Sequence, residues 1–182
     1  MPTVLVPVAD GSEEMELITI VDVLRRAEID VTIASLSGEA ITASRGTRII
    51  PDAALADVLD DNFDLVVLPG GLPGADNLDN DPRIHVLLKR NVAEGRLVGA
   101  ICAAPRVLAH AGLLDGKRAT SYPGFLDDIA PEVSSTGEAV EWDGNVVTSR
   151  GPGTAMDFAL TLIEVLRDAS VRETIESGLV RT

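Results

Sequence analysis

The chain has few cysteines and few aromatic residues. Cys102 is the only cysteine among 182 residues, and aromatic side chains make up 3% of the sequence. One cysteine excludes an internal disulfide, so a reducing cytoplasm is the expected location. Because apolar residues still reach 46%, we expect a core built mainly from Val, Leu, Ile and Ala.

Long apolar runs are also missing. No stretch approaches the roughly 18 consecutive apolar residues of a membrane helix, so no membrane partner is expected. The first residues, MPTVLVPVADG, predict a strand rather than a signal peptide, because they carry no basic region. The length fits a single domain over residues 1–182.

Positive charge is scarce. The chain carries 15 Lys and Arg against 29 Asp and Glu, a net charge of −14, and its only lysines are Lys89 and Lys117. Such a surface repels nucleic acid, so no nucleic-acid partner is expected. Few lysines and many acids also suit a salt-rich cytoplasm. A halophilic source is one hypothesis, and an ordinary acidic bacterial or archaeal protein is the alternative.

Metal ligands and nucleotide-binding motifs are not indicated. The two histidines, His85 and His110, each fall inside a predicted helix and away from strand ends. One cysteine and two scattered histidines predict no metal site and no Cys–His dyad of the thiol-protease kind. No GxGxxG follows the first strand and no Walker loop is present, so we expect no nucleotide cofactor.

Short apolar segments alternate with amphipathic ones along the chain. Strands are predicted over residues 3–9, 31–36, 64–68, 97–101, 119–122 and 145–149, with a hairpin over 41–44 and 47–50. Helices are predicted around the apolar stripe at 17–24 and over 81–94, 105–114, 151–167 and 172–180. Continuously apolar strands indicate an α/β fold with a mainly parallel sheet covered on both faces.

The single cysteine follows a predicted strand, at a turn into a helix. Ligands of open α/β sheets bind beyond the carboxyl ends of the strands. The small neighbours Ala103 and Ala104 permit a sharp nucleophile elbow at Cys102. The helix N-terminus that follows is expected to lower the pKa of the thiol. The alternative is a buried, unreactive cysteine, since free cysteines usually pack in cores.

Two other strand ends should meet this cysteine. Pro69-Gly70-Gly71 is a candidate oxyanion hole, because glycines let backbone N–H groups approach a reacting oxygen; a tight turn is the alternative. The acidic segment 10–16 leads from the first strand into the first helix, where carboxylates also suit the helix dipole. A helical wheel puts Glu13 near the buried stripe and Glu16 at its edge, and spacing does not choose between them.

Five segments together resemble the ThiJ/PfpI superfamily. They look closest to its branch that contains the chaperone-like YajL and the parkinsonism-associated protein deglycase. The similarity covers nearly the whole chain in the right order, in ADGSEEMELITIVDVLRRA (9–27), TASRGTRI (42–49), DLVVLPGGLPGADNL (64–78), GAICAAP (99–105) and TSRGPGTAMDFAL (148–160). The resemblance implies a flavodoxin-like three-layer sandwich with a cysteine elbow, and a homodimer.

The resemblance also implies roles for individual residues. It maps the family's reactive cysteine onto Cys102 and the acidic partner of that cysteine onto Glu16. The backbone amides of Gly71 and Ala103 fall where the family holds an oxyanion.

Three further positions lie in segments that the family uses near its site. Met15 and Arg45 fall in segments that contribute to the dimer contact or the site rim. Tyr122 stands where many members carry a histidine. Members with peptidase activity also carry a histidine directly after the cysteine, where this chain has Ala103, so peptidase activity is the less favoured expectation.

The function implied by the resemblance is cysteine-dependent chemistry on reactive aldehydes such as methylglyoxal, or on their adducts in glycated proteins. Such a glyoxalase or deglycase needs no metal, glutathione or other cofactor. An oxidative-stress sensor or redox-regulated chaperone would use the same cysteine without turnover. A third alternative is an α/β domain in which Cys102 only packs.

Overall fold

A seven-stranded sheet forms the centre of the protein in the computed structural model, which describes residues 1–127, 129–130 and 133–181. The strands of the described ranges are β1 (Thr3–Val8), β2 (Asp30–Ser35), β3 (Ile41–Thr42), β4 (Arg48–Ile49), β5 (Ala53–Ala54), β6 (Leu65–Leu68), β7 (Leu97–Ile101), β8 (Arg118–Ala119), β9 (Ser134–Ser135), β10 (Val140–Asp143) and β11 (Val146–Ser149). The helices are α1 (Glu14–Arg26), α2 (Leu55–Val58), α3 (Gly74–Asp79), α4 (Pro82–Ala93), α5 (Pro105–His110), α6 (Ala155–Leu166) and α7 (Ala169–Gly178).

The central sheet is parallel except at one edge. Its strands run in the order β10-β11-β7-β6-β1-β2-β5, and only the β10–β11 pair is antiparallel. Two small pairs lie outside it, the antiparallel hairpin β3–β4 and the parallel pair β8–β9. The expected mainly parallel sheet and the expected hairpin are confirmed.

Helices cover both faces of the sheet and bury two apolar cores. In β1, Val4 and Val6 point into the core shared with α1 and α6, whereas Leu5 points into the core beneath α4 and α5. Each face of a continuously apolar strand is therefore used, as burial on both sides requires. The result is the three-layer α/β sandwich expected from the sequence.

Capping side chains fix where the main helices begin. Glu13 precedes α1 and its carboxylate accepts a hydrogen bond from the amide of Glu16. Asp81 does the same for the amide of Arg83 at the start of α4, where Pro82 occupies the first turn. These acceptors satisfy helix N–H groups that have no partner within the helix.

No helix within the described ranges has both the length and the apolar character that a membrane crossing requires.

One predicted strand is wrong and one predicted helix is too long. The strand expected over 119–122 is limited to Arg118–Ala119, which pairs with β9 outside the central sheet. The amide of Thr120 instead donates to the Thr148 hydroxyl, which removes it from a strand ladder. The helix expected over 105–114 ends at His110, because Gly112 adopts a φ of +73° and the amide of Leu113 turns back to the carbonyl of Leu108.

Both histidines contact one carboxylate. The Nε2 of His85 on α4 lies 3.0 Å from Asp79 Oδ1, and the Nδ1 of His110 on α5 lies 2.6 Å from Asp79 Oδ2. Asp79 ends α3, so these contacts tie three helices together on one face of the sheet. The expectation that each histidine lies inside a helix is confirmed.

Phe158 is a central core residue whose removal should destabilise the fold. It is fully buried on α6, and its ring packs closely on β7, where a Cβ at Gly99 would lie 3.3 Å from it. Phe158→Ala should lower the free energy of unfolding by about 3–5 kcal/mol through lost burial and a residual cavity. Urea unfolding measures this change. Val86→Ala, at an exposed position of α4, should change stability by less than about 0.5 kcal/mol. Equal losses in both variants would contradict this assignment of the core.

Candidate active site

Three loops at the carboxyl edge of the sheet meet around Cys102. Cys102 directly follows β7, Gly70 and Gly71 follow β6, and the segment after β1 leads into α1 with Glu16 in its first turn. The amide of Gly70 donates to Glu16 Oε2 at 2.7 Å, and the carbonyl of Gly70 accepts from the amide of Glu13 at 2.9 Å. The structure therefore brings the predicted segments together in one place.

Cys102 has the sharp elbow that its small neighbours predict. Its φ is +63°, a conformation that costs a non-glycine residue about 1–3 kcal/mol. Hydrogen bonds on both sides hold it there: its amide donates to the carbonyl of Ser149 at 3.0 Å, and its carbonyl accepts from the amide of Tyr122 at 2.8 Å. The neighbouring strand and the loop after β8 thus offset the strain at the cysteine.

Gly70 lies so close to the site that only glycine fits. A Cβ atom at Gly70 would lie 2.6 Å from the Cβ of Cys102 and 2.9 Å from Oε2 of Glu16. The sequence places Gly70 in the candidate oxyanion loop but gives it no role of its own. Its lack of a side chain leaves room for Cys102 and Glu16, and its amide donates a hydrogen bond to Glu16.

Glu16, rather than Glu13, is the buried carboxyl group. Glu16 is fully buried, and its Oε1 has no hydrogen-bond partner within the described part of the chain. Glu13 is only half-buried because it precedes the helix, with extended backbone angles (φ −79°, ψ 118°), and its carboxylate caps the amide of Glu16. The helical wheel is wrong about their order of burial because it treats Glu13 as a helical residue.

Burial controls the ionisation of the pair. Burial raises the pKa of Glu16 to about 7, although hydrogen bonds with Gly70 and Cys102 oppose the shift. Burial, together with the nearby charge of Glu16, raises the pKa of Cys102 to about 12, while the backbone amides of Gly71 and Ala103 oppose it. Two adjacent buried anions are disfavoured, so the pair carries at most one negative charge near neutral pH.

The predicted lowering of the thiol pKa is therefore wrong in direction. The prediction relied on the N-terminus of the helix after Cys102. That helix, α5, has only six residues and begins with Pro105, which has no N–H to donate. Its dipole does not outweigh burial and the carboxylate of Glu16, so a thiolate requires that Glu16 hold the proton.

An open pocket of about 390 Å³ gives access to Cys102. Its lining is Glu13, Ser44, Arg45, Gly71, Leu72, Cys102, Ala103, Tyr122, Phe125 and Pro152. Arg45 and Tyr122 thus lie on the site rim, as the resemblance implies. Met15 does not line the pocket and is exposed on α1. A larger cavity of about 680 Å³, lined in part by Asp10, Asn77 and Arg83, contains no cysteine.

Glu14 fixes the rim segment that carries Arg45. Its carboxylate accepts hydrogen bonds from the amides of Arg45 and Thr47 and from the Ser44 hydroxyl, at 3.0–3.3 Å. Desolvation opposes ionisation of Glu14, yet hydrogen bonds from its own amide, the Arg45 amide, and the side chain and amide of Thr47 lower its pKa to about 2. The sequence indicates this role of Glu14 only through the acidic residues at the start of a helix. Nothing in the sequence indicates that Phe125 lines the pocket, because Phe125 lies in an irregular loop.

Metal ligands are not assembled in this region. Across the residues that the structure describes, no group of three or more His, Cys, Asp or Glu side chains could hold a metal ion. Glu13 and Glu16 have separate hydrogen-bonding partners, and both histidines are held by Asp79. What the site can offer chemically is a thiol, a buried proton carrier and two backbone N–H groups.

Glu16 should make stability depend on pH. Because its pKa is about 7 when folded and 4.5 ordinarily, the folded protein binds a proton between these values that the unfolded chain does not. This contribution is complete below pH 4.5 and is lost as the pH rises to 7, by up to about 1.4 kcal/mol per pH unit. Subtracting the unfolding free energies of Glu16→Gln from those of the native protein should reveal this slope.

An exposed glutamate provides the control for this comparison. Glu39→Gln removes one negative charge from the surface without touching the buried pair. A difference between the native protein and Glu16→Gln that stays constant from pH 4 to pH 8 would contradict the raised pKa of Glu16.

Comparison with known proteins shows which family the chain resembles in sequence. The family model described as DJ-1/PfpI family matches residues 2–165. Protein dj-1beta of Drosophila melanogaster is 46% identical over 178 residues, covering 97% of this chain and 95% of that protein. Glutathione-independent glyoxalase DJR-1.2 of Caenorhabditis elegans is 40% identical over 164 residues, covering 90% and 87%. The chain spans only 38% and 46% of two Arabidopsis thaliana relatives, Protein DJ-1 homolog B and homolog A.

Two solved structures of DJ-1 proteins match the fold of this chain. The crystal structure of Drosophila melanogaster DJ-1beta matches with a TM-score of 0.96 at 45% identity, covering 100% of this chain and 98% of that one. An oxidised form of Toxoplasma gondii DJ-1 matches with a TM-score of 0.96 at 38% identity, covering both chains fully. Sequence and structure together establish that the chain belongs to the DJ-1/PfpI family.

Proposed function

We propose that the protein is a cysteine-dependent, cofactor-independent glyoxalase or deglycase that acts on reactive aldehydes such as methylglyoxal, or on their adducts in glycated proteins. The observation that carries the proposal is the pairing of Cys102, at an open pocket, with a buried carboxyl group whose pKa lies near 7. A general acid–base works best when its pKa lies near the working pH. The C. elegans relative named as a glutathione-independent glyoxalase supports the same reaction class.

The first step is addition of the thiol to the aldehyde. Glu16 accepts the proton of Cys102, and the sulfur forms a bond to the aldehyde carbon. The oxygen of the aldehyde gains negative charge, which the backbone amides of Gly71 and Ala103 stabilise. These amides already face the cysteine sulfur, since they lower the pKa of its thiol. Glu16 then returns the proton to that oxygen and completes a hemithioacetal.

The second step moves hydrogen between neighbouring carbons. Ionised Glu16 removes the proton from the former aldehyde carbon and delivers it to the adjacent carbonyl carbon through an enediol. The first carbon is oxidised to a thioester and the second is reduced to an alcohol, so no outside electron acceptor is needed. Water then cleaves the C–S bond, releasing lactate and restoring the thiol. Glu16, as a buried group with an unpartnered oxygen, is the residue that carries the proton.

Peptidase chemistry has less support at this site. No histidine is found among the described residues that line the pocket, and both histidines bind Asp79 instead. Tyr122 and Ala103 occupy the two positions at which the family resemblance places a histidine. A thiol protease of the Cys–His kind uses its histidine both to activate the thiol and to protonate the leaving amine, and the described pocket lining offers no such residue.

A second candidate function is redox sensing, with or without chaperone activity. The Toxoplasma gondii relative of known structure is in an oxidised form, and here Cys102 lines the pocket and is hydrogen-bonded to the carboxyl group of Glu16. A cysteine sulfinate would accept a hydrogen bond from protonated Glu16 in the same geometry. A sensor would use each Cys102 once per oxidation, whereas an enzyme would use the same cysteine in repeated cycles.

Lactate production separates these functions. The native protein should convert methylglyoxal to lactate without glutathione, and Cys102→Ser and Glu16→Gln should each lower the rate at least about 100-fold, because each removes a step of the mechanism. Glu39→Gln, at an exposed position that does not line the described pocket at Cys102, serves as the control. Lactate is measured enzymatically or by NMR.

Absence of lactate from the native protein across salt concentrations would overturn the glyoxalase proposal. Peroxide treatment followed by intact mass measurement then tests the sensor. Addition of two oxygens to the native protein but not to Cys102→Ser supports sensing, and no addition in either indicates a cysteine that only packs.

We also propose that the protein is located in the cytoplasm, because a reducing compartment suits its one free cysteine. We propose further that it forms a homodimer through the outer face of α1. Met15 and Ile18 are exposed on this face, and large apolar side chains exposed next to each other on a helix are typical of an interface. Light scattering should give twice the mass of one chain. Met15→Asp with Ile18→Asp should give one chain's mass, and Ile50→Asp, at another exposed apolar position, is the comparison. A native monomer at micromolar concentration would contradict the dimer.

A further inference from the structure

Two aromatic rings line the pocket at the thiol. The chain contains only five aromatic residues. Phe63 and Phe158 are buried in the cores, and Trp142 lies on the edge strand β10. The other two, Tyr122 and Phe125, both line the pocket that contains Cys102. A chain with few aromatic residues thus places two of them next to its only thiol.

The two rings form a fixed wall. Their centroids lie 6.0 Å apart and their planes meet at 87°, an edge-to-face arrangement that aromatic pairs favour. The guanidinium carbon of Arg106 lies 5.5 Å from the centroid of Phe125, over the ring. Arg106 in turn forms an ion pair with Asp76 of α3. Phe125 is therefore held from two sides although its loop has no regular structure.

The rest of the pocket lining near the thiol is mostly apolar. Leu72, Ala103 and Pro152 are its further apolar side chains, Leu72 is half exposed, and Ser44 adds one hydroxyl. The charged groups on the lining are Glu13, whose carboxylate caps α1, and Arg45. A substrate with an apolar group next to its carbonyl can therefore bury that group against the wall while the aldehyde carbon reaches the sulfur.

We propose that this site prefers aryl 2-oxoaldehydes, in which an aromatic ring is attached to the inner carbonyl, over methylglyoxal. The proposal rests on the proposed function and names its substrate class. Methylglyoxal offers the wall a single methyl group and leaves most of a pocket of about 390 Å³ to water. An aryl group can pack against Tyr122 and Phe125 edge to face, as these two rings pack on each other, or in an offset stack.

Turnover gives the first test. Phenylglyoxal should have a kcat/KM about three- to tenfold above that of methylglyoxal after correction for hydration of each aldehyde, and the advantage should disappear in Phe125→Ala. Phe125→Leu keeps an apolar side chain without a flat ring and should retain part of the advantage. Trp142→Ala, which removes an aromatic residue outside the pocket, should leave the ratio of the two substrates unchanged.

Alkylation of the thiol gives a second test that needs no turnover. Phenacyl bromide and bromoacetone differ in the same way as the two aldehydes, and in each the cysteine sulfur forms a C–S bond while bromide leaves. Intact mass spectrometry measures both rates, and N-acetylcysteine at the same pH corrects for the reactivity of each reagent. The corrected aryl preference should be about three- to tenfold in the native protein and near one in Phe125→Ala.

The outcomes distinguish the two proposals. Turnover of methylglyoxal with no aryl advantage, or an aryl preference that survives in Phe125→Ala, overturns the aryl selectivity and leaves the glyoxalase intact. No turnover of either aldehyde, with an aryl preference in alkylation that depends on Phe125, overturns the glyoxalase and supports the selective pocket. Melting curves show whether Phe125→Ala is folded, and Phe125→Leu replaces it if it is not.

Discussion

Close packing of backbone on backbone at the carboxyl edge of the sheet is the constraint on which the site depends. A Cβ at Gly74 would lie 2.3 Å from the amide nitrogen of Ser12, and one at Gly71 would lie 2.5 Å from the carbonyl oxygen of Gly11. Side chains at these glycines would separate the loop after β1 from the loop after β6. Only without them can α1 begin where Glu16 reaches the amide of Gly70.

This packing links the electrostatics of the site to the fold. Glu16 is excluded from water because two loops and a strand end close around it, and exclusion from water is what moves its pKa into the neutral range. Cys102, pressed against the same carboxyl group, shares its proton with it rather than ionising alone. The chemistry of the thiol is thus set by how tightly the loops pack, more than by the short helix that follows it.

The sequence predicts much of the fold, because strands buried on both faces require continuous apolar runs such as 65–68 and 97–101. It also places Cys102 at a strand end, which follows from the same pattern. It fails where hydrogen bonds outside the local segment decide the outcome, as at Thr120, whose amide bonds to the Thr148 hydroxyl. The alternating edge strand β10 and the short helix α3, in a segment rich in Gly and Pro, are missed as well.

Within the site, the sequence identifies the participants better than their states. Glu13 and Glu16 cannot be ranked before it is known that the helix begins after Glu13. The direction of the thiol pKa depends on burial and on the partner carboxyl group, and neither is visible in the residues next to Cys102. Phe125 contributes to the pocket only through a loop whose course no periodic pattern describes.

The hydrogen bond between Tyr122 and Cys102 has a consequence for how such a site can diversify. It is made by the backbone amide of Tyr122, so the elbow is independent of the side chain at position 122. That side chain nevertheless lines the pocket that contains Cys102. A substitution at position 122 can replace the phenol of Tyr122 with an imidazole or an aliphatic group while Cys102 stays in place. The fold thereby separates the backbone that holds the nucleophile, which must be kept, from a pocket side chain that can change under selection for new substrates.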